Sequence, residues 1–109
     1  LMDIVEERKL AEEVRELRLQ KDLAESFKRL SINPDFRKVI ENHYLNSYAV
    51  SLVLAKANPA MTVEQQTLLE HKLNSIATFS RFLDEMENLV DTIDVRLADA
   101  SHSLQQITL

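Results

Sequence analysis

The chain contains no glycine in 109 residues, and this absence constrains its fold more than any other feature. At the average usage of about 7% glycine, roughly eight would be expected. Strands joined by tight turns draw on glycine for positions with positive φ. Only Pro34 and Pro59 interrupt the chain, and apolar residues recur at helical spacing between and after them. The sequence therefore predicts an all-α protein.

Composition and charge limit the possible partners. With 45% hydrophobic and 28% charged residues, the chain is typical of a folded single domain that covers residues 1–109. A net charge of -5 makes nucleic acid an unexpected partner. The lack of cysteine excludes disulfides and thiol chemistry and is typical of a reducing cytoplasm. We expect no membrane contact, because no apolar run is long enough to span a bilayer.

The ends of the chain suggest that it is a piece of a longer protein. It opens with Leu1-Met2, so that an ordinary start residue stands second, and it closes on an apolar residue, Leu109. This pattern favours trimming at both ends. We expect functional residues beyond the given sequence.

Apolar spacing predicts a first helix from about residue 3 to 31. Its apolar positions are three, four or seven residues apart, with Leu23 and Leu30 flanking them, and they are Leu10, Val14, Leu17, Ala24 and Phe27. Acidic and basic residues fill the rest of this segment. Such a mixed-charge surface is typical of the solvated side of a coiled coil or a helical bundle.

A second helix is predicted from residue 34 to about 57. Asn33 can cap it with its side-chain oxygen, and Pro34 stands at the first helical position, where its missing N–H costs nothing. The stretch from Tyr44 to Ala55 is apolar on most faces, so we expect burial on more than one side. The predicted core positions are Phe36, Val39, Ile40, Leu45, Ala49, Leu52 and Val53.

A long third helix is predicted from residue 62 to 107. Thr62 and Gln65 have the spacing of a capping box, and no glycine or proline follows Pro59. Apolar residues then step by three or four, at Leu69, Leu73, Ile76, Phe79, Leu83, Met86, Val90, Ile93, Leu97, Ala100, Leu104 and Ile107. At 1.5 Å per residue this helix is about 70 Å long, against about 36 Å for the second helix.

These lengths predict a three-helix hairpin or bundle with a long, coiled-coil-like C-terminal helix. Within one subunit we expect Phe36, Ile40, Leu52, Ile76, Phe79 and Leu83 to be largely buried. The first helix is expected to run parallel to the third in an up-down-up arrangement and to cover only part of it. The stripe from Val90 to Ile107 then projects, ready for self-association or for docking of a partner helix.

Residues suited to catalysis or ligand binding are scattered. His43, His71 and His102 share no spacing with a second metal ligand. Phosphate-binding loops and the nucleophile elbow both require glycine. We therefore expect no enzyme activity, no metal, no cofactor and no small-molecule substrate. Tyr44 and Tyr48, one turn apart, are interpreted as a core pair with hydrated hydroxyls.

Four carboxylates follow one edge of the predicted third helix at spacings of three, four and three: Asp84, Glu87, Asp91 and Asp94. Like charges at this spacing repel by a few tenths of a kcal/mol per pair. One interpretation is that they meet Arg8, Arg15 or Arg18 of the first helix, or face water. The other is a docking edge for a basic partner surface or a divalent cation.

We take this edge together with the neighbouring apolar stripe as the predicted partner-binding surface. Its residues are Asp84, Glu87, Val90, Asp91, Ile93, Asp94, Leu97, Leu104 and Ile107. The expected partner is a second copy of the chain or another protein.

A resemblance is carried by several short segments, in the order Glu25-Ser26-Phe27-Lys28-Arg29-Leu30, Asn33-Pro34-Asp35-Phe36-Arg37-Lys38-Val39-Ile40, Tyr44-Leu45, Ala49-Val50 and Asn58-Pro59-Ala60-Met61. With the long helix that follows, this series resembles small helical proteins of tailed bacteriophages encoded among the head and virion-assembly genes. It spans roughly residues 25 to 85 and consists of caps, turns and core positions. It implies a head, neck or scaffold component and transfers no active site.

The sequence thus favours a virion structural or assembly protein that works by helical association, located in the virion or the host cytoplasm, with other virion proteins or copies of itself as partners. A small helical adaptor that binds one host or phage protein through the acidic edge is the alternative. An intracellular enzyme is the third class, and it would need a pocket that slender helices offer little room to form.

Overall fold

The computed structural model describes the backbone of residues 2–108 and the side chains of residues 4–107. This part of the chain forms three helices and no strand. The first helix is Met2–Ser31 and the third helix is Val63–Thr108. The middle helix consists of three consecutive segments, Pro34–Phe36, Arg37–Tyr48 and Ala49–Ala55. The all-α prediction with a long C-terminal helix is confirmed, and the helix ends agree with the predicted ones to within two residues.

The predicted caps form at both helix starts. The Asn33 side-chain oxygen accepts hydrogen bonds from the backbone N–H groups of Asp35 at 2.9 Å and Phe36 at 3.2 Å. The Thr62 N–H donates to Gln65 Oε1 at 2.9 Å, and the Gln65 N–H donates to Thr62 Oγ1 at 3.1 Å. Each helix start thereby satisfies N–H groups that have no partner within the helix.

The middle helix departs from ordinary α-helical winding. Its Arg37–Tyr48 segment is a π-helix of 12 residues, a form usually restricted to single turns. The hydroxyl of Ser47 donates to the carbonyl of Asn42, five residues back, at 3.1 Å, whereas serines in α-helices reach back three or four residues. The sequence does not predict this winding.

No described helix is both long and apolar enough to cross a membrane.

The chain divides into two compact units. The first unit combines the first helix, up to Arg29, with the third helix from Met86 onward. Its buried residues are Val14, Leu17, Ala24, Ile93 and Ala100, with Leu89, Val90, Leu97 and Leu104 packed against them. Lys21 contacts Asp94, and Arg96 donates to Gln20 at 3.5 Å. As residue numbers rise along one helix they fall along the other, so the two helices are antiparallel.

Two expectations about the third helix are therefore wrong. The first helix is antiparallel, not parallel, to the part of the third helix that it contacts. The stripe predicted to project, Val90 to Ile107, packs against the first helix of the same chain from Val90 to Leu104, and Ile93 is only 1% exposed. Spacing identifies the apolar face of a helix correctly. It does not tell which other helix covers that face, or whether that helix is parallel or antiparallel to it.

The second unit covers Leu30–Glu85. There the middle helix packs against the start of the third helix through Leu52, Leu69 and Ile76. Tyr44 and Tyr48 stack with ring centroids 6.0 Å apart, and Tyr44 meets Phe79 edge-on at 5.8 Å. Both tyrosines are half-buried and pack against the buried cluster of this unit, as expected of a core pair. The hydration of their hydroxyls stays a prediction.

Fewer of the predicted core residues are buried in this unit than expected. Leu52 and Ile76 are buried as predicted, whereas Phe36, Ile40, Phe79 and Leu83 are half-buried. Val39 and Val53, also assigned to the core, are exposed. The expectation that the middle helix is buried on more than one side is wrong, because within this unit it packs against a single helix, which covers one face only.

Candidate interaction surface

Asp94 is the carboxylate of the acidic edge that meets the first helix. The Lys21 ammonium pairs with Asp94 and also with Glu25, one turn further along its own helix, at 2.8 Å. The hydrogen bond from Lys21 holds the pKa of the Asp94 carboxyl below its usual range. The same ammonium lowers the pKa of Glu25, and the bond to Asp94 raises the pKa of Lys21.

The other three carboxylates of this edge face solvent. Glu87 and Asp91 in the first unit, and Asp84 in the second, are exposed and form no ion pair with another described residue. One interpretation of the sequence is that the carboxylates meet Arg8, Arg15 or Arg18, or face water. Arg15 pairs with Glu12 on its own helix, and these three carboxylates face water. The basic residue of the first helix that pairs with this edge is Lys21, which is not one of the three arginines.

The apolar members of the predicted partner surface are used within the chain. Ile93 is buried, and Val90, Leu97, Leu104 and Ile107 are half-buried. All except Ile107 belong to the core cluster formed with the first helix. These side chains hold the first unit together. The four carboxylates of the predicted surface, Asp84, Glu87, Asp91 and Asp94, are exposed, and Asp94 is paired with Lys21. Their role in binding stays a prediction.

A different apolar stripe is exposed on the first helix. Leu19 is 63% exposed, Leu23 is 52% exposed and Leu30 is 45% exposed. With the exposed Ser26 they follow the spacing four, three, four, which is the spacing of a helix seam. We call Leu19, Leu23, Ser26 and Leu30 the outer stripe. The sequence contains this signal, although the spacing of the first helix places Leu23 and Leu30 only as flanks of the buried face.

The middle helix also has an exposed apolar face. Val50, Val53 and Leu54 are all at least half exposed, and they lie three and four residues apart on one side of the Ala49–Ala55 segment. The opposite side carries Leu52 and packs into the second unit. Each unit thus buries one face of a helix and leaves apolar side chains on another.

The histidines lie in ordinary helical surroundings. The His43 ring contacts the Ser47 hydroxyl at 3.3 Å, and His102 contacts the Gln106 amide at 3.1 Å. His71 lines an open groove on the third helix together with Asn74, Thr78, Phe79 and Phe82. Among the described side chains, no three His, Cys, Asp or Glu residues lie close enough together to hold a metal ion. The expectations of no metal and no enzyme activity stay predictions.

Comparisons with protein-family models, with curated proteins and with solved structures give no match for this chain. The resemblance to tailed-phage proteins therefore stays an expectation that depends on the short segments between Glu25 and Met61.

Proposed function

We propose that this chain is a structural or assembly protein of a bacteriophage virion, in a head, neck or scaffold role, and that it acts by helix-to-helix association. The distribution of apolar side chains supports this association. Residues 4–107 bury two narrow helix seams and expose fourteen large apolar side chains. Single exposed apolar residues are ordinary, but the outer stripe and the Val50, Val53 and Leu54 face are groups at helical spacing.

Grouped apolar side chains on a helix surface favour a protein partner. A partner helix buries such a stripe by placing its own apolar residues between the exposed ones. The phage setting is supported by the sequence resemblance, with the virion or the host cytoplasm as the proposed location and other virion proteins or further copies as partners.

The acidic edge supports a second candidate, a small adaptor that binds one host or phage protein. Glu87 and Asp91 are exposed, belong to the same unit and have no ion-pair partner among the described residues. Two such carboxylates one turn apart repel each other, and a basic partner surface would relieve that repulsion. This candidate predicts a chain that is monomeric alone and that loses its partner at high salt.

Quantitative mass spectrometry of purified particles tests the first proposal. The chain should be found in mature virions, or in assembly intermediates if it is a scaffold, in a fixed number of copies relative to the major head protein. An abundant host protein serves as the control for contamination. Absence from particles and from intermediates would contradict a virion role and favour the adaptor.

A further inference from the structure

The outer stripe is the most continuous exposed apolar feature of the first helix. Leu19, Leu23 and Leu30 project from it with Ser26 between them. At about 100° per residue they lie nearly opposite Leu17 and Ala24, which face the third helix. The helix that covers the buried seam therefore cannot cover the outer stripe at the same time.

Two opposite charges flank this stripe on one side. Asp22 precedes Leu23, and Arg29 precedes Leu30, so the two charges occupy equivalent positions seven residues apart. Neither forms an ion pair with another described residue. The Arg29 guanidinium donates to Ser26 Oγ at 3.1 Å, which keeps it beside the stripe. In helix pairs, charges at such flanking positions set the partner and its direction.

We propose that the outer stripe binds the outer stripe of a second copy of this chain, with the two helices antiparallel. In this register Leu19 lies opposite Leu30 of the second copy, and Leu23 lies opposite Ser26. The two-fold axis makes each contact occur twice. Asp22 then lies beside Arg29 of the second copy, so that two ion pairs form where the isolated chain has none.

The direction follows from these charges. In a parallel pair, a residue that flanks the seam on its left faces a residue that flanks the partner's seam on its right. Asp22 would then face Phe27 of the second copy, and the ion pair would be lost. Only the antiparallel register gives both charges a partner.

The expected contact is weak. Three leucines from each copy cover less than the ~800 Å² per partner of a standard interface, so the dimer should exchange rapidly. This inference deepens the proposed function and depends on it for its biological role, since many weak contacts add up in an assembly of repeated copies. The contact itself is testable on the isolated chain.

Charge exchange provides the test. Asp22→Arg and Arg29→Asp, each alone, place like charges together in both pairs, whereas an equimolar mixture of the two variants restores both attractions in the mixed dimer. Sedimentation equilibrium should show a dimer for the parent, dissociation constants raised about fivefold or more for each variant, and recovery in the mixture. Lys9→Glu makes the same charge change as Arg29→Asp outside the stripe and should leave the dimer intact.

Cysteine cross-linking gives an independent measurement, because the chain has no cysteine of its own. Mixed Leu19→Cys and Leu30→Cys chains should form the 19–30 disulfide on oxidation. In this register the two copies of position 19 would be about 16 Å apart along the axis, too far for a disulfide. A dominant 19–19 product would overturn the antiparallel register.

Two outcomes would overturn the contact itself. A parent that stays monomeric up to about 1 mM shows that the stripe does not bind a second copy. A parent dimer that neither charge variant weakens shows that association uses another surface, which leaves the proposed function standing. Circular dichroism of each variant verifies that the helices are intact, and the cross-linking result applies even if one charge variant fails to fold.

Discussion

Lys21 of the first helix pairs with Asp94 of the third helix, 73 residues later in the sequence. Beside this pair, Arg96 donates to Gln20. Both contacts lie on the antiparallel helix pair of the first unit. The same ammonium also reaches Glu25, so one cation pairs with a carboxylate from each helix.

The Lys21 contact should be visible in the titration of Asp94. Lys21→Met should raise the pKa of Asp94 toward the ordinary value of about 3.9, because the hydrogen bond that lowers it is lost. Carbon-13 NMR of the Asp94 carboxyl measures this directly. Lys9→Met removes an exposed cation from the same helix and should leave the Asp94 pKa as in the parent. An identical pKa in all three chains would contradict the pairing.

The same contact has a pH dependence of known sign. The folded-state pKa of Asp94 lies below its unfolded value, so the pair stabilises the fold above the unfolded pKa. This contribution is lost as the pH falls through the folded-state pKa. It should be small, since both groups are on the surface.

Ile93→Ala should destabilise the first unit by about 2 to 5 kcal/mol, since it removes the most buried large side chain among the described residues. Val95→Ala, two residues away on the exposed face, should change the free energy of unfolding by less than about 0.5 kcal/mol. Urea denaturation followed by circular dichroism measures both. Equal losses of unfolding free energy in the two variants would show that the third helix packs against the first helix through another face.

Ala24→Leu should destabilise the same seam by about 1 to 3 kcal/mol, because the alanine is fully buried between two helices and leaves no room for three more carbons. Ala11→Leu makes the same change at an exposed position of the first helix and should be close to neutral. Thermal unfolding of both variants tests this. A neutral Ala24→Leu would mean that the helices are further apart than the structure shows.

Asn33→Ala should cost about 0.5 to 2 kcal/mol, since two N–H groups of the middle helix lose the oxygen that they donate to. Asn33→Asp keeps an acceptor in the same place and should retain most of the stability. The comparison of the two variants by chemical denaturation separates capping from packing. If both variants lose the same free energy of unfolding, the loss does not come from the cap.

Local chemistry made the helix starts and the buried faces predictable. Asn33 before Pro34, and Thr62 three residues before Gln65, specify caps whose atoms all lie within four residues of each other. The predicted apolar positions of the third helix, from Leu69 to Ile107, are all buried or half-buried. Caps depend on neighbouring residues and buried faces on the helical period. Both can therefore be predicted from the sequence.

Long-range relationships were not predictable in the same way. Any apolar stripe can pack against any other, so the spacing of Val90 and Leu97 does not say whether the first helix or a second chain covers them. The π-helical winding of Arg37–Tyr48 has no simple residue signature. The outer stripe was missed because the charged residues around Leu19 and Leu23 made that face resemble an ordinary solvated surface.

The central claim is that the stripe containing Val90, Leu97 and Leu104 joins helices within one chain and that the outer stripe joins chains. Sedimentation equilibrium and urea denaturation of two double variants test it most directly. Leu19→Glu with Leu23→Glu should raise the dimer dissociation constant at least about tenfold and leave monomer stability unchanged, whereas Leu97→Glu with Leu104→Glu should unfold the first unit. An outer-stripe variant that dimerises like the parent, or a Leu97 and Leu104 variant as stable as the parent, would contradict the account.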